Sequence, residues 1–209
     1  MYPLADEFFR LAHNDVTGKP RLNAGAAGLG LAAALLGELM FARRITLQRG
    51  MLEVLDPSPP QDAVAHAILD QLIAQPQHLG VRIWLDFLSR GAYEEVAKRL
   101  WRAGHVRPET SRRLLRQVVT WVPADVNTAA WPWARLSHSL HRQEPLDQPD
   151  VFLVGLAAAT GLDEDLLKGG PPAAPPYLRR LLATASAPLH ELLAYTQAAV
   201  GDAVLSYRT

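Results

Sequence analysis

The chain has no cysteine, almost no lysine, no net charge and only one long apolar run, and each shortage removes a class of explanation. Without thiols there is no disulfide, no thiolate metal site and no cysteine nucleophile, a composition that fits a reducing compartment. With 21 basic and 21 acidic residues the formal charge is zero, so attraction to a polyanion has to come from a local patch. Lysine stands only at 19, 98 and 168, so the cations are nearly all arginine; with the many alanines and prolines this suggests a high-GC bacterial genome. The start, "MYPLADEFFRLAHND", lacks the basic segment and apolar run of a secretory signal. The apolar run, "AGAAGLGLAAALLGELMFA" (24–42), contains Glu38 and is half alanine and glycine. It predicts a buried central helix rather than a membrane span, which needs ~20 strongly apolar residues.

Catalytic signatures are missing too. There is no phosphate loop, no H-E-x-x-H and no G-x-S-x-G. The glycines of "GAAGLGLA" follow a polar turn and not a strand, so they predict close helix packing and no dinucleotide site. His138 and His141 are three apart but have no third ligand in view, so a solvated pair is expected and no metal. The carboxylates of "LDEDLL" suit a helix start, with Asp163 placed to cap it. No enzyme activity and no cofactor are expected.

What is present is a globular composition: 49% hydrophobic and 20% charged residues over 209 positions, enough for one domain with a sizeable core. Helical spacing recurs in Leu4, Phe8 and Leu11, in Val64, Ile68 and Leu72, in Val81, Trp84, Leu85 and Leu88, and in Val96 and Leu100. "DVFLVGLAAAT" is short and apolar and is expected inside. "ITL-QRG-MLEVL" reads as a small hairpin, and "RQVVTWV" suggests a second after Gly104, a helix cap of left-handed conformation. "GGPPAAPP" (169–176) reads as a linker stiffened by proline. The expected fold is mostly α: a single globular domain over 1–209 with two small β-hairpins. Helix, turn and hairpin recur in the same order twice, which is either a weak repeat or a common local solution, and which is similar to the helix-plus-wing of winged-helix proteins. Of Trp121, Trp131 and Trp133, core positions are expected before a membrane interface.

The strongest signal is basic. Lys98, Arg99, Arg102, Arg107, Arg112, Arg113 and Arg116 share a span whose one acid is Glu109; Arg43, Arg44 and Arg49 surround the first hairpin, with Arg82 and Arg90 between. Such a run is either a solvated face or a cradle for phosphate, since guanidinium offers a planar fork of donors. Arg43 and Arg44 are expected to end the buried helix and face outward.

In order, "LADEFFRLAHNDVTGKPR", "AALLGELMFARRITL", "PSPPQDAVAHAILDQL", "GVRIWLDFLSRGAYEEVAKRLWRAGHV" and "DVFLVGLAAATGL" resemble the Golgi phosphoprotein 3 family, in its bacterial branch, over nearly the whole length. The resemblance implies a central four-helix core wrapped by further helices and hairpins, and no catalysis. Eukaryotic members bind phosphatidylinositol 4-phosphate on Golgi membranes, through a pocket of one tryptophan and three arginines, and hold cytosolic tails of glycosyltransferases. In the register of the quoted segments the pocket arginines fall at Ala32, Arg90 and Tyr93 and the tryptophan near Asn23, with Arg21 close by. A longer, arginine-bearing hairpin that serves membrane contact and oligomer formation is expected to be reduced here to "QRG". The resemblance thus implies a cytoplasmic, peripherally membrane-associated protein binding an anionic, phosphoinositide-like headgroup. Arg90, Arg21 and Tyr93 are its headgroup candidates, and Arg43, Arg44 and Arg49 its membrane-facing cations. The alternatives are a winged-helix-like nucleic-acid binder, disfavoured by neutral charge and apolar helices, and a protein-interaction module.

Overall fold

Helix α1 (Leu4–Leu11) begins at Pro3, whose φ of −54° and missing amide proton suit a helix entry. Spacing alone puts Leu4, Phe8 and Leu11 on one inner face; in the structure all eight residues are buried, Asp6, Glu7 and Arg10 included. The structure is a computed structural model. It describes residues 3–113 and 116–206, and the side chains of 112–118 and 204–206, with Arg112, Arg113 and Arg116 of the basic span, lie outside the described residues.

Helix α2 (Ala24–Phe41) starts at Asn23, whose side chain accepts from the Ala26 amide. It passes through the middle of the molecule, in contact with α1, with α3 (Ala63–Ala74), α4 (Val81–Arg102), α6 (Gln148–Thr160) and α9 (Ala187–Ser206), and with strand β1 (Ile45–Gln48). It is the one described helix long and apolar enough to cross a membrane, and 72% of it is buried inside the fold. Its glycines are sites of close approach, as expected. A Cβ at Gly28 would strike the Ser89 carbonyl of α4, at Gly30 the Phe8 ring of α1, and at Gly37 the Phe152 ring of α6. Burial of this helix and its neighbours supplies the main driving force, at roughly 25 cal/mol per Å² of apolar surface.

The helix-plus-hairpin pattern is real in its geometry. After α2 the amides of Arg43 and Arg44 donate to the carbonyls of Met40 and Leu39; after α4 those of Gly104 and His105 donate to Trp101 and Leu100. Both are Schellman caps with a left-handed residue, Arg43 at φ 54° and Gly104 at φ 75°. Each is followed by an antiparallel pair: β1 (Ile45–Gln48) with β2 (Met51–Val54), and β3 (Val106–Arg113) with β4 (Arg116–Pro123). The first hairpin is short, and the Gly50 amide in its turn is held by the Glu191 carboxylate of α9. The second has eight residues a side, 106–113 and 116–123.

Helix α5 (Val126–Arg142), α6, the short α7 (Asp163–Leu167), α8 (Ala174–Leu182) and α9 complete the shell. Asp163 is the first residue of α7; Leu162 holds the cap position, so Asp163 faces the helix dipole from inside the first turn and not as the cap. The 169–176 stretch is only partly a linker: Ala174 is fully buried and Pro175 and Pro176 enter the first turn of α8, where a missing amide proton costs nothing. Trp121 is buried, as expected of core; Trp133 is half-buried; Trp131 is 55% exposed, contrary to that expectation.

Candidate functional site

The arginines divide into those consumed by the fold and those left facing outward. Arg99, at the start of the basic span, turns inward. It binds Asp6 of α1 at 2.8 Å, Glu38 of α2 at 3.0 Å and Asp62, the cap of α3, at 3.0 Å. Glu38 also accepts the Ala5 amide at 2.8 Å. Arg135 of α5 does the same one layer over, binding Glu7 at 2.6 Å and Asp150 of α6 at 2.8 Å. A carboxylate in the most apolar helix requires such a partner, because an unpaired buried charge is far too costly. Burial pushes the carboxyls of Asp6, Glu7, Glu38 and Asp150 above the usual range, and the guanidiniums pull against it. Burial also works against the Arg99 charge, but Glu38, Asp6 and Asp62 outweigh it and raise its pKa.

Just past the end of α1 lies His13, 3% exposed. Its Nδ1 meets the Phe9 carbonyl at 2.6 Å, and a carbonyl only accepts, so Nδ1 carries the proton. Nε2 is therefore the acceptor, and the Tyr93 hydroxyl, 3.2 Å away, donates to it. Burial pulls the imidazole pKa down to about 4, and burial, then Glu94, pushes the Tyr93 phenol up to about 12. Arg21 joins the same group. Its Nε donates to the His13 carbonyl at 3.0 Å, its guanidinium lies 4.6 Å from the Trp133 ring centre, and Asp15 stands 3.6 Å from it. So two of the expected headgroup residues, Arg21 and Tyr93, do meet, around His13.

The third, Arg90, points elsewhere. It lies one turn before Tyr93 on α4 and borders an open cleft of about 510 Å³ between α3 and α4, with Leu35 of α2 beneath. Ile68, Leu88 and Ala92 form buried walls, and Val64, Ala67 and Phe87 rise toward solvent. Arg90 and Arg102 sit at its rim with Glu95, which Lys98 engages at 3.2 Å. Arg90 is held by Asp86 at 2.6 Å in a pair largely open to water, 73% and 69% exposed. An exposed pair of this kind is worth only ~0.3–0.5 kcal/mol, so an incoming anion can replace the carboxylate at little cost. Arg102 has no ion-pair partner among the described residues. Around the first hairpin Arg43 and Arg49 are exposed, while Arg44 is half-buried and bound to Asp56, contrary to the expectation that it faces outward. Among the described residues no three His, Asp or Glu are grouped to hold a metal ion.

A family model described as Golgi phosphoprotein 3 (GPP34) matches residues 4–205. The chain belongs to that family. No individual curated protein matches it. Against the Golgi phosphoprotein 3 pocket register, Ala32 is wholly buried within α2 and offers no side chain to a headgroup, while Asn23 is exposed with its side-chain oxygen taken by the Ala26 amide. Sequence reasoning missed the inward turn of Arg99 and the cleft beside Arg90. The available signal was Glu38, an acid inside an apolar helix that had to find a cation.

Proposed function

We propose that the protein is a non-enzymatic, peripheral membrane protein of the cytoplasm that binds anionic phospholipid at the arginine-rimmed cleft between α3 and α4. The observation that carries this reading is the rim itself: Arg90, the pocket arginine that the family resemblance retains, and Arg102 stand exposed at the edge of an apolar cavity of about 510 Å³. Basic residues near an anionic surface contribute about 1 kcal/mol each, so a few exposed arginines give weak, salt-sensitive attachment even at zero net charge. Arg43 and Arg49 add to it if the first hairpin also faces the bilayer. Arg21 and Tyr93, held around His13, form a second candidate for the phosphate, and the family resemblance adds cytosolic tails of membrane proteins as possible partners.

The helices that precede the two hairpins argue against the nucleic-acid alternative. The helix before the first hairpin, α2, is enclosed by its neighbours, and the one before the second, α4, buries Val81, Trp84, Leu85, Val96 and Leu100. Co-sedimentation with anionic and with zwitterionic vesicles, run beside a duplex-DNA mobility shift, tests the proposal. The expected result is pelleting with anionic vesicles at low salt, its loss as salt rises, and no DNA retardation. Loss of pelleting in Arg90→Ala assigns the cleft, and loss in Arg21→Ala alone assigns the His13 cluster. A protein that stays in the supernatant with acidic vesicles at low ionic strength is not what is proposed here.

A further inference from the structure

We infer that the α3–α4 cleft takes one acyl chain of an anionic lipid, with the anionic head at the arginine rim; this rests on the lipid reading above. The chemistry of the lining argues for a tail. Leu35, Ile68, Leu88 and Ala92 make a floor and walls without donors, and the polar side chains stand at the edge. A sugar phosphate lowered onto such a floor would lose its hydration and gain no hydrogen bonds, whereas methylenes would gain from burial. The apolar path is also longer than the cavity. Phe87, 48% exposed, borders both this cleft and a neighbouring space of about 290 Å³ beside Ile83 and Trp84.

The lining residues of α4 run from Phe87 to Arg102, about 22 Å of helix, a length that an extended hydrocarbon chain can follow.

Gly91 marks where the cleft has room. At Gly28, Gly30, Gly37 and Gly155 a neighbour occupies the space of the missing side chain; at Gly91, as at Gly201 of α9, a Cβ would meet nothing within 4 Å, and Gly91 alone of these lines the cleft.

That same emptiness provides a clean test, because Gly91→Leu fills the cleft without disturbing the fold. The probe is dodecyl phosphate below its micelle concentration, titrated calorimetrically, with glycerol phosphate as the head without a tail. Wild type is expected to bind the first and not the second. Gly91→Leu is expected to weaken dodecyl phosphate on the order of a hundredfold, the equivalent of a few buried methylenes, with its melting temperature unchanged or raised. Equal binding of dodecyl phosphate by wild type and Gly91→Leu overturns the inference. So does glycerol phosphate binding as tightly as dodecyl phosphate, and so does an amphipathic helical peptide that binds and displaces the probe. Wild type that pellets with anionic vesicles but ignores dodecyl phosphate overturns the tail and leaves the lipid reading standing. Dodecyl phosphate bound in the cleft with no vesicle binding supports the cleft and overturns the membrane reading.

Discussion

Arg99 and Arg102 are one turn apart on α4 and have opposite lives. Arg99 is 11% exposed and surrounded by three carboxylates from α1, α2 and the start of α3. Arg102 stands in water at the edge of the cleft. The residue type is the same and so is the helix; the difference is where distant acids end up. A count of arginines therefore says little about anion binding until the acids that consume them have been subtracted.

The largest effect that would break this contrast is on the inward side. Arg99→Met should destabilise the protein by about 3–5 kcal/mol in chemical denaturation, because it leaves Asp6, Glu38 and Asp62 without their shared cation. The deficit should shrink on mild acidification, which neutralises carboxyls that burial already holds above their usual range. A loss below 1 kcal/mol would mean that Arg99 is as dispensable as a surface residue.

Next comes His13, just past the end of α1, which the Tyr93 hydroxyl links to α4. Its folded pKa of about 4 lies below the ordinary 6.5, so the unfolded chain takes up the proton first. Stability should fall as pH drops from about 6.5 to about 4, by up to ~3 kcal/mol, and flatten below that. The raised carboxyls act with the opposite sign in the acid range, so the informative measurement is the difference between wild type and His13→Gln as a function of pH. A difference that stays level across that window would contradict a buried neutral imidazole.

Smaller still is Arg43. It holds a left-handed φ of 54° where the matching cap after α4 has glycine. Arg43→Gly should stabilise the fold by about 1 kcal/mol, read as a raised denaturation midpoint, and a loss of stability would show that its side chain packs. At the bottom of the scale, Arg90→Ala and Arg102→Ala should change stability by less than about 0.5 kcal/mol, as exposed positions do. A large loss at either would place it with Arg99 and end the comparison.

Much of the fold was legible. The left-handed cap at Gly104, the period of Trp84, Leu85 and Leu88, and the turn at "QRG" are local signals, and local physics decided them. The ion-pair centre was not, because its members are 93, 61 and 37 residues from Arg99 in sequence. Nothing within a helical window distinguishes Arg99 from Lys98 or Arg102. The all-round burial of α1 was hidden for the same reason: Asp6, Glu7 and Arg10 look like a solvated face until their partners are known. The headgroup candidates were half legible. Arg21 and Tyr93 converge through His13, which sequence reasoning did not single out, while Arg90 belongs to a cleft created by α3 standing away from α4, a matter of packing and not of pattern.

The most direct test of the account is binding of wild type, Arg90→Ala/Arg102→Ala and a folded control to vesicles rich in acidic phospholipid at low ionic strength, with the fold of each checked by melting. At about 1 kcal/mol per arginine the double variant should bind roughly thirtyfold more weakly while melting like wild type, and added salt should bring wild type down to meet it. Equal vesicle binding by wild type and the double variant would contradict the claim that the outward arginines of the cleft carry the membrane contact.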